Sequence, residues 1–449
     1  MRERAIWRPP IIHSEGTRAP RLGLWSRASK DAGPGPRPAF VADSMQVSMS
    51  SLRGSFVLER ALGPVSRAGR CRKPSHSYSG RYRLMNKSAS LAIALVGAVV
   101  LTHGALGASE APKVSMDQDG TVHLPDFAVP PSVLETVRAK ENFRALVDAF
   151  KCEGADKAGD ITAIRKEIDE CLMRPGIRKL RATFSVDIKA GRLGGVPIDS
   201  IEPTGGVAPK NKRRVLVNLH GGAFSVAAGL GGQMESIPIA ALGAIKVISV
   251  DYREGPENRF PAASEDVAAI YSALLKDYPA SNIGIYGCSA GGILTAESMA
   301  WFQTHSLPRP GAIGIFGAGA VVPFLGDSTY VGPILMGMIP VNPDVKASTP
   351  YFDVPNLNVN DPLVSPVYSP HVLSFFPPTL LISGTRDAGL SSAVYTHTQL
   401  VKQGVEADLH IWEGASHCSF AQPVADPEVP ETREAWDVIA KFFDKRLGR

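Results

Sequence analysis

The chain has 449 residues, 44% hydrophobic and 20% charged, with 48 Lys+Arg against 43 Asp+Glu and a net charge of +5. That composition excludes a collagen-like, coiled-coil or wholly disordered protein, and the length permits roughly three domains at about 150 residues each. A basic balance invites a nucleic-acid or anionic-membrane partner, but residues 1–84 alone carry 14 Arg and 2 Lys against 5 acids, which leaves residues 85–449 at −6.

Residues 1–84 show no sustained apolar period and are dominated by Arg, Pro, Gly and Ser, as in Gly33-Pro34-Gly35-Pro36-Arg37-Pro38. They read as a disordered basic leader. Behind them Met85-Asn86-Lys87 precedes the apolar run Leu91–Leu101 and small residues at Ala105, Gly107 and Ala108. Basic, apolar and small-residue zones in that order predict a secretory signal peptide over 85–108. The run is shorter than the ~20 apolar residues of a membrane span. Since a signal peptide acts near an N-terminus, the pattern predicts translation from Met85 and export to the periplasm or the medium. A retained basic arm and an uncleaved anchor are the alternatives; a first residue near Ala108 in the exported protein would exclude both.

An exported protein is free to form disulfides. Cys71 falls in the leader, while Cys152, Cys171, Cys288 and Cys418 fall beyond the signal peptide. Cys152 and Cys171 share a helical stretch, and Cys288 and Cys418 each adjoin a candidate catalytic residue. Four cysteines allow three pairings, and the sequence does not choose among them.

Within 109–182 the apolar spacing from about 133 to 174 is helical, with Phe143, Leu146, Val147 and Phe150, then Ile161, Ile164, Ile168 and Leu172. This is the expected N-terminal helical cap region. From 183 to 449, strand-like runs alternate with helices. The runs are Phe184–Ile188, Val215–Leu219, Ile245–Asp251, Ile283–Tyr286, Gly311–Phe316, Thr379–Ser383 and Ala407–Trp412. The helices are Ala262–Asp277, Gly291–Gln303, Ser391–Gln403 and Glu431–Arg446. Alternation of this kind predicts an α/β fold with a mostly parallel central sheet flanked by helices. About 60 residues rich in Pro and Gly separate two of the strands, and a connection that long predicts a cap or lid insertion at about 320–372.

The chemistry-bearing motifs lie at strand ends. Gly287-Cys288-Ser289-Ala290-Gly291-Gly292 follows one strand and opens a helix. A serine nucleophile needs that setting, a tight strand-to-helix turn with Gly287 and Gly291 admitting close backbone packing. The helix N-terminus adds unpaired N–H groups near developing negative charge, that of Ala290 being an expected oxyanion donor. His220-Gly221-Gly222-Ala223 follows an earlier strand, and the N–H groups of Gly221 and Gly222 are the expected further oxyanion donors. His220 suits a structural role in holding that loop.

With these motifs the chain resembles the α/β-hydrolases of the hormone-sensitive-lipase-like esterase branch. Asp251-Tyr252-Arg253, Glu257-Asn258-Arg259-Phe260-Pro261-Ala262-Ala263 and Asp361-Pro362-Leu363-Val364-Ser365-Pro366 extend the resemblance, and Cys288 departs from it. The resemblance implies a catalytic order of Ser, acid, His. Asp387, after the strand Thr379–Ser383, is the expected acid. Asp361 precedes a strand and Asp408 lies within one. Among ten histidines, His417 follows the last strand on a loop, where the branch has its base. The implied activity is a serine carboxylesterase or lipase-like hydrolase acting on a small-molecule ester. An amidase, deacetylase or acyltransferase shares the same machinery, and a non-catalytic binding homologue is the third class. Neither a metal motif nor a dinucleotide-binding Gly-rich loop is present, so no cofactor is expected; with the basic charge confined to the leader, no nucleic-acid partner is expected either. Acyl specificity and oligomeric state are not encoded in any motif.

Overall fold

The computed structural model describes residues 114–124, 128–149, 160–338, 349–421 and 426–448. The basic leader, the predicted signal peptide and Cys152 lie outside them. After a two-residue ladder pairing Ser115–Met116 with Val122–His123, the chain forms helices α1 (Val137–Ala149), α2 (Ile161–Ile168) and α3 (Arg174–Thr183). Asp160 caps α2 by accepting from the Ala163 N–H at 2.9 Å, a usual N-terminal stop.

Eight strands then make one sheet: β1 (Val186–Leu193), β2 (Val196–Pro203), β3 (Val215–Leu219), β4 (Lys246–Val250), β5 (Ile283–Cys288), β6 (Ala312–Phe316), β7 (Thr379–Arg386) and β8 (Ala407–Ser416). Their spatial order is β8-β7-β6-β5-β3-β4-β2-β1. β3 to β8 run parallel, while β1 and β2 are antiparallel at one edge. Every residue of β3, β5 and β6 is buried, as expected for strands covered on both faces.

Side chains alternate between two cores. Val215, Val217 and Leu219 join the core under α5 (Ala262–Leu274), α6 (Ala290–Thr304) and α8 (Leu390–Lys402). Leu216, Tyr286 and Phe316 join the other, under α3, α4 (Leu230–Gly243) and α9 (Pro430–Arg446). β2 and α4 escape the sequence reading. β2 carries Pro197 and Pro203 among mixed polar residues. α4 contains Gly231, Gly232 and Pro238 and is buried on most sides, so it presents no amphipathic period.

Between β6 and β7 the chain forms α7 (Ser328–Leu335) and short turns at Pro350–Phe352 and Pro366–Tyr368. The rings of Tyr351 and Phe352 lie 4.9 and 5.2 Å from that of Phe224. This fixes the described end of the insertion against the loop after β3.

Candidate active site

Four loops at the C-terminal ends of parallel strands converge, where open α/β sheets bind ligands. Ser289 sits between β5 and α6 at φ 57° and ψ −120°, a conformation that costs a non-glycine residue about 1–3 kcal/mol. The turn is held by close packing: a Cβ at Gly291 would lie 1.7 Å from Leu219 O, and one at Gly287 2.1 Å from the same oxygen. Only glycine permits the backbones to approach so closely.

β7 delivers Asp387, which is 1% exposed. Its Oδ1 accepts from the Gly389 N–H at 2.7 Å and its Oδ2 from the Ser383 hydroxyl at 2.7 Å. β8 shifts register between Trp412 and Ser416, and the irregularity re-aims the chain as bulges near active sites do, so that His417 follows directly. His417 Nδ1 lies 2.7 Å from Asp387 Oδ1, and His417 Nε2 lies 2.8 Å from Ser289 Oγ. With Nδ1–H donating to Asp387, Nε2 is the acceptor facing the Ser289 hydroxyl.

The charges reinforce this order. Burial pushes the Asp387 carboxyl up, but the His417 charge and the hydrogen bonds from His417, Gly389 and Ser383 outweigh it and hold the group below the usual carboxylate range. Burial pulls the His417 imidazole down, and Asp387 outweighs that too, holding it above its ordinary 6.5. The competing acids lie elsewhere: Asp361 accepts from the Leu363 N–H at 2.9 Å, and Asp408 faces Arg446.

The loop after β3 requires a correction. The Gly221 N–H, expected as an oxyanion donor, instead donates to Glu235 Oε1 at 2.9 Å. Glu235, 3% exposed on α4, also accepts from Asn218 Nδ2 at 3.0 Å. A buried carboxylate needs such donors, and it turns the first glycine's N–H away from the nucleophile. The N–H groups of Gly222 and Ala223 donate to no protein group among the described residues, and Ala223, Ser289 and Ala290 line one cavity. Ala223 was missed because only the glycines were read as donors. Glu235 had one available signal, the lone charged residue of a largely apolar stretch.

His220 is fully buried and stacks on Tyr252, with ring centroids 4.3 Å apart. Its Nδ1–H donates to Gly221 O at 2.7 Å, and the Tyr252 hydroxyl donates to His220 O at 2.7 Å. Burial lowers its pKa to about 4, so it holds the loop as a neutral ring. Arg165 on α2 ties this loop to the segment after β4, donating to Ser225 O and Gly255 O, each at 2.8 Å.

The cavity over Ser289 has a volume of about 430 Å³. Phe224, Ile293, Val322, Phe324, Met336, Met338 and Phe352 give it apolar walls, most of them from the insertion and none from the described part of residues 109–182. Arg386 also borders it, but its guanidinium turns to Pro130 O (3.0 Å) and the Phe143 ring (5.0 Å). No cluster of His, Cys, Asp and Glu able to hold a metal occurs among the described residues. No helix there is long and apolar enough to cross a membrane.

A family model described as an alpha/beta hydrolase fold matches residues 216–421. The chain is 27% identical over 283 residues to the carboxylesterase/phospholipase LipF of Mycobacterium tuberculosis, covering 60% of this chain and 70% of that one. It is 29% identical to LipR of the same organism over 31% of this chain, spanning 47% of that relative's length. Among solved structures, esterase E25 superposes with a TM-score of 0.63 at 29% identity, over 73% of this chain and 99% of that one. A hormone-sensitive lipase from a metagenome library gives 0.56 at 26% identity, over 68% and 99%.

Proposed function

Since the chain belongs to the α/β-hydrolases and resembles the hormone-sensitive-lipase-like esterases among them, we propose that it is a serine carboxylesterase acting on small-molecule esters with an apolar acyl or alcohol part. The observation that carries this reading is the hydrogen-bonded chain Ser289–His417–Asp387 opening into an apolar cavity. His417 Nε2 takes the Ser289 proton as Oγ attacks the ester carbonyl, and Asp387 stabilises the imidazolium. The N–H groups of Ala223 and Ala290 face the developing oxyanion with that of Gly222; each such donor is worth ~10²–10³ in rate. His417 then protonates the departing alcohol, and a water it deprotonates releases the acid from Ser289.

Export belongs to the same proposal. The signal-peptide pattern of residues 85–108 supports it, as does the disulfide between Cys288 and Cys418, since such bonds persist in oxidising compartments. A panel of p-nitrophenyl esters from acetate to decanoate tests the activity. Hydrolysis by the wild type and none by Ser289→Ala is expected, and a wild type inert on the whole panel would overturn the reading.

A further inference from the structure

We infer that the Cys288–Cys418 disulfide is a positioning device for the reaction, holding the loop of His417 in register with the turn of Ser289 so that proton transfer depends on the intact bond. The inference rests on Ser289 as nucleophile and His417 as base. One cysteine immediately precedes the nucleophile and the other immediately follows the base; the bond spans 130 residues of sequence with the two Cα atoms 6.2 Å apart.

The two sides it joins are unequally held. Cys288 is fully buried, ends β5 and pairs with Phe316 of β6. The Ser289 N–H donates to Phe316 O at 2.8 Å. The nucleophile turn is therefore part of the sheet. The His417 side is not. Among the described residues from His417 to Ala421 the backbone donors make turn bonds, Ser419 N–H to Ser416 O (3.2 Å) and Ala421 N–H to Cys418 O (3.0 Å). Beyond the His417–Asp387 hydrogen bond itself, its side-chain anchors lie three residues past the base, where Trp436 Nε1 donates to Phe420 O and the Phe420 ring packs edge-on against Phe316. Cys418 itself sits at φ +53°, a conformation that persists only where the surroundings over-determine it. The disulfide ties this loop covalently to the strand of the nucleophile.

Gly317 supplies an independent observation. It has φ +56°, and a Cβ there would lie 2.8 Å from Cys418 Sγ, 3.3 Å from Cys288 Sγ and 3.3 Å from His417 Cε1. The two sulfurs and the imidazole thus fill one space, which this glycine leaves open. Without the bond, the ring loses a wall and the loop its tether. Proton transfer requires heavy atoms about 2.6–3.2 Å apart, and a misplacement of about 1 Å costs on the order of 10²-fold.

A bond closing so long a loop also stabilises the whole fold, so the test separates the two effects. The oxidised full chain is compared with the Cys288→Ala/Cys418→Ala double variant, measuring kcat and KM on p-nitrophenyl esters, fluorophosphonate labelling of Ser289, and near-UV circular dichroism. The expected result is a native spectrum, KM within about threefold, and kcat and labelling rate both down by about 10–100-fold. A kcat within twofold of wild type, or labelling that stays fast, would overturn the inference.

If the double variant loses its tertiary spectrum, the wild type is reduced with a phosphine and sampled over time, with acid-quenched thiols mapped. Cys171→Ala serves as control, because Cys171 is also disulfide-bonded. Activity lost in step with the Cys288 and Cys418 thiols, under a preserved spectrum, supports positioning. Activity retained with both thiols free, or lost only together with tertiary structure, refutes it. Activity of Ser289→Ala in the oxidised protein would instead sink the underlying assignment of the site, whatever the cysteines do.

Discussion

Glu235 offers the sharpest check on how the oxyanion loop is built. Its carboxylate accepts the Gly221 N–H at 2.9 Å and Asn218 Nδ2 at 3.0 Å, and it is almost wholly buried. Glu235→Ala strands both donors in a buried site. At about 1–3 kcal/mol for each unsatisfied buried group, the variant should lose about 2–6 kcal/mol of stability, before any cavity penalty. The freed Gly221 N–H then has no acceptor, and although Tyr252 and His220 still hold the neighbouring carbonyls, Gly222 and Ala223 lose part of their orientation. Loss of a single donor's worth of stabilisation lowers kcat by ~10²–10³. Glu235→Gln should behave differently. Asn218 Oδ1 is buried without a partner, so a flipped Asn218 amide accepts from the new Gln amino group while the Gln oxygen keeps the Gly221 N–H. Urea unfolding and initial rates on p-nitrophenyl butyrate measure both quantities. Equal damage from Gln and Ala would show that negative charge, not hydrogen-bond count, holds the loop. An Ala variant within ~1 kcal/mol of wild type, at full rate, would remove Glu235 from the account altogether.

Other substitutions and conditions probe the remaining parts. Asp387→Asn should lower kcat by about 10⁴-fold, because an amide no longer selects the tautomer with Nε2 facing Ser289; a loss under tenfold would contradict the assigned acid. The base must be neutral to act and His417 is held above 6.5, so kcat/KM should fall as pH drops through an apparent pKa above that value; an acidic limb centred well below 6.5 would contradict the pairing. Met336, which is 5% exposed and lines the cavity, becomes an obstruction as Met336→Trp. Hydrolysis of octanoate and decanoate esters should then collapse while acetate is spared, and an unchanged chain-length profile would place the acyl group elsewhere.

Sequence legibility followed the directness of each signal. The strands β3, β5, β6 and β7 stand out because burial on both faces leaves nearly continuous apolar runs bounded by turn residues. Ser289 and Asp387 stand out because each follows such a strand, and His417 because it follows the last strand, the partly exposed edge strand β8. What stayed hidden depends on direction rather than identity. Gly221 and Gly222 look equivalent as letters, yet only a carboxylate 14 residues later decides which N–H faces the nucleophile. α4 hides because glycines, a proline and all-round burial erase its period. The pairing of Cys288 with Cys418 hides because β8 must first break its register to bring the two together.

The sheet also separates two kinds of residue around the site. The cavity walls Phe224, Ile293, Val322 and Phe352 belong to the core under α5 and α6. Cys288 and Cys418 belong to the core on the other face, and Asn218, one side-chain repeat from Leu216, points there toward Glu235 on α4. Alternation along a strand forces this division. Substrate is held by one side of the sheet, while the groups that aim the nucleophile, the base and the oxyanion loop are anchored from the other. Substitutions under α5 and α6 should therefore move KM and chain-length preference. Substitutions around α4 and Cys418 should move kcat, because they displace reacting groups without reshaping the cavity. A change at Asn218 that altered acyl preference at constant kcat would break that division.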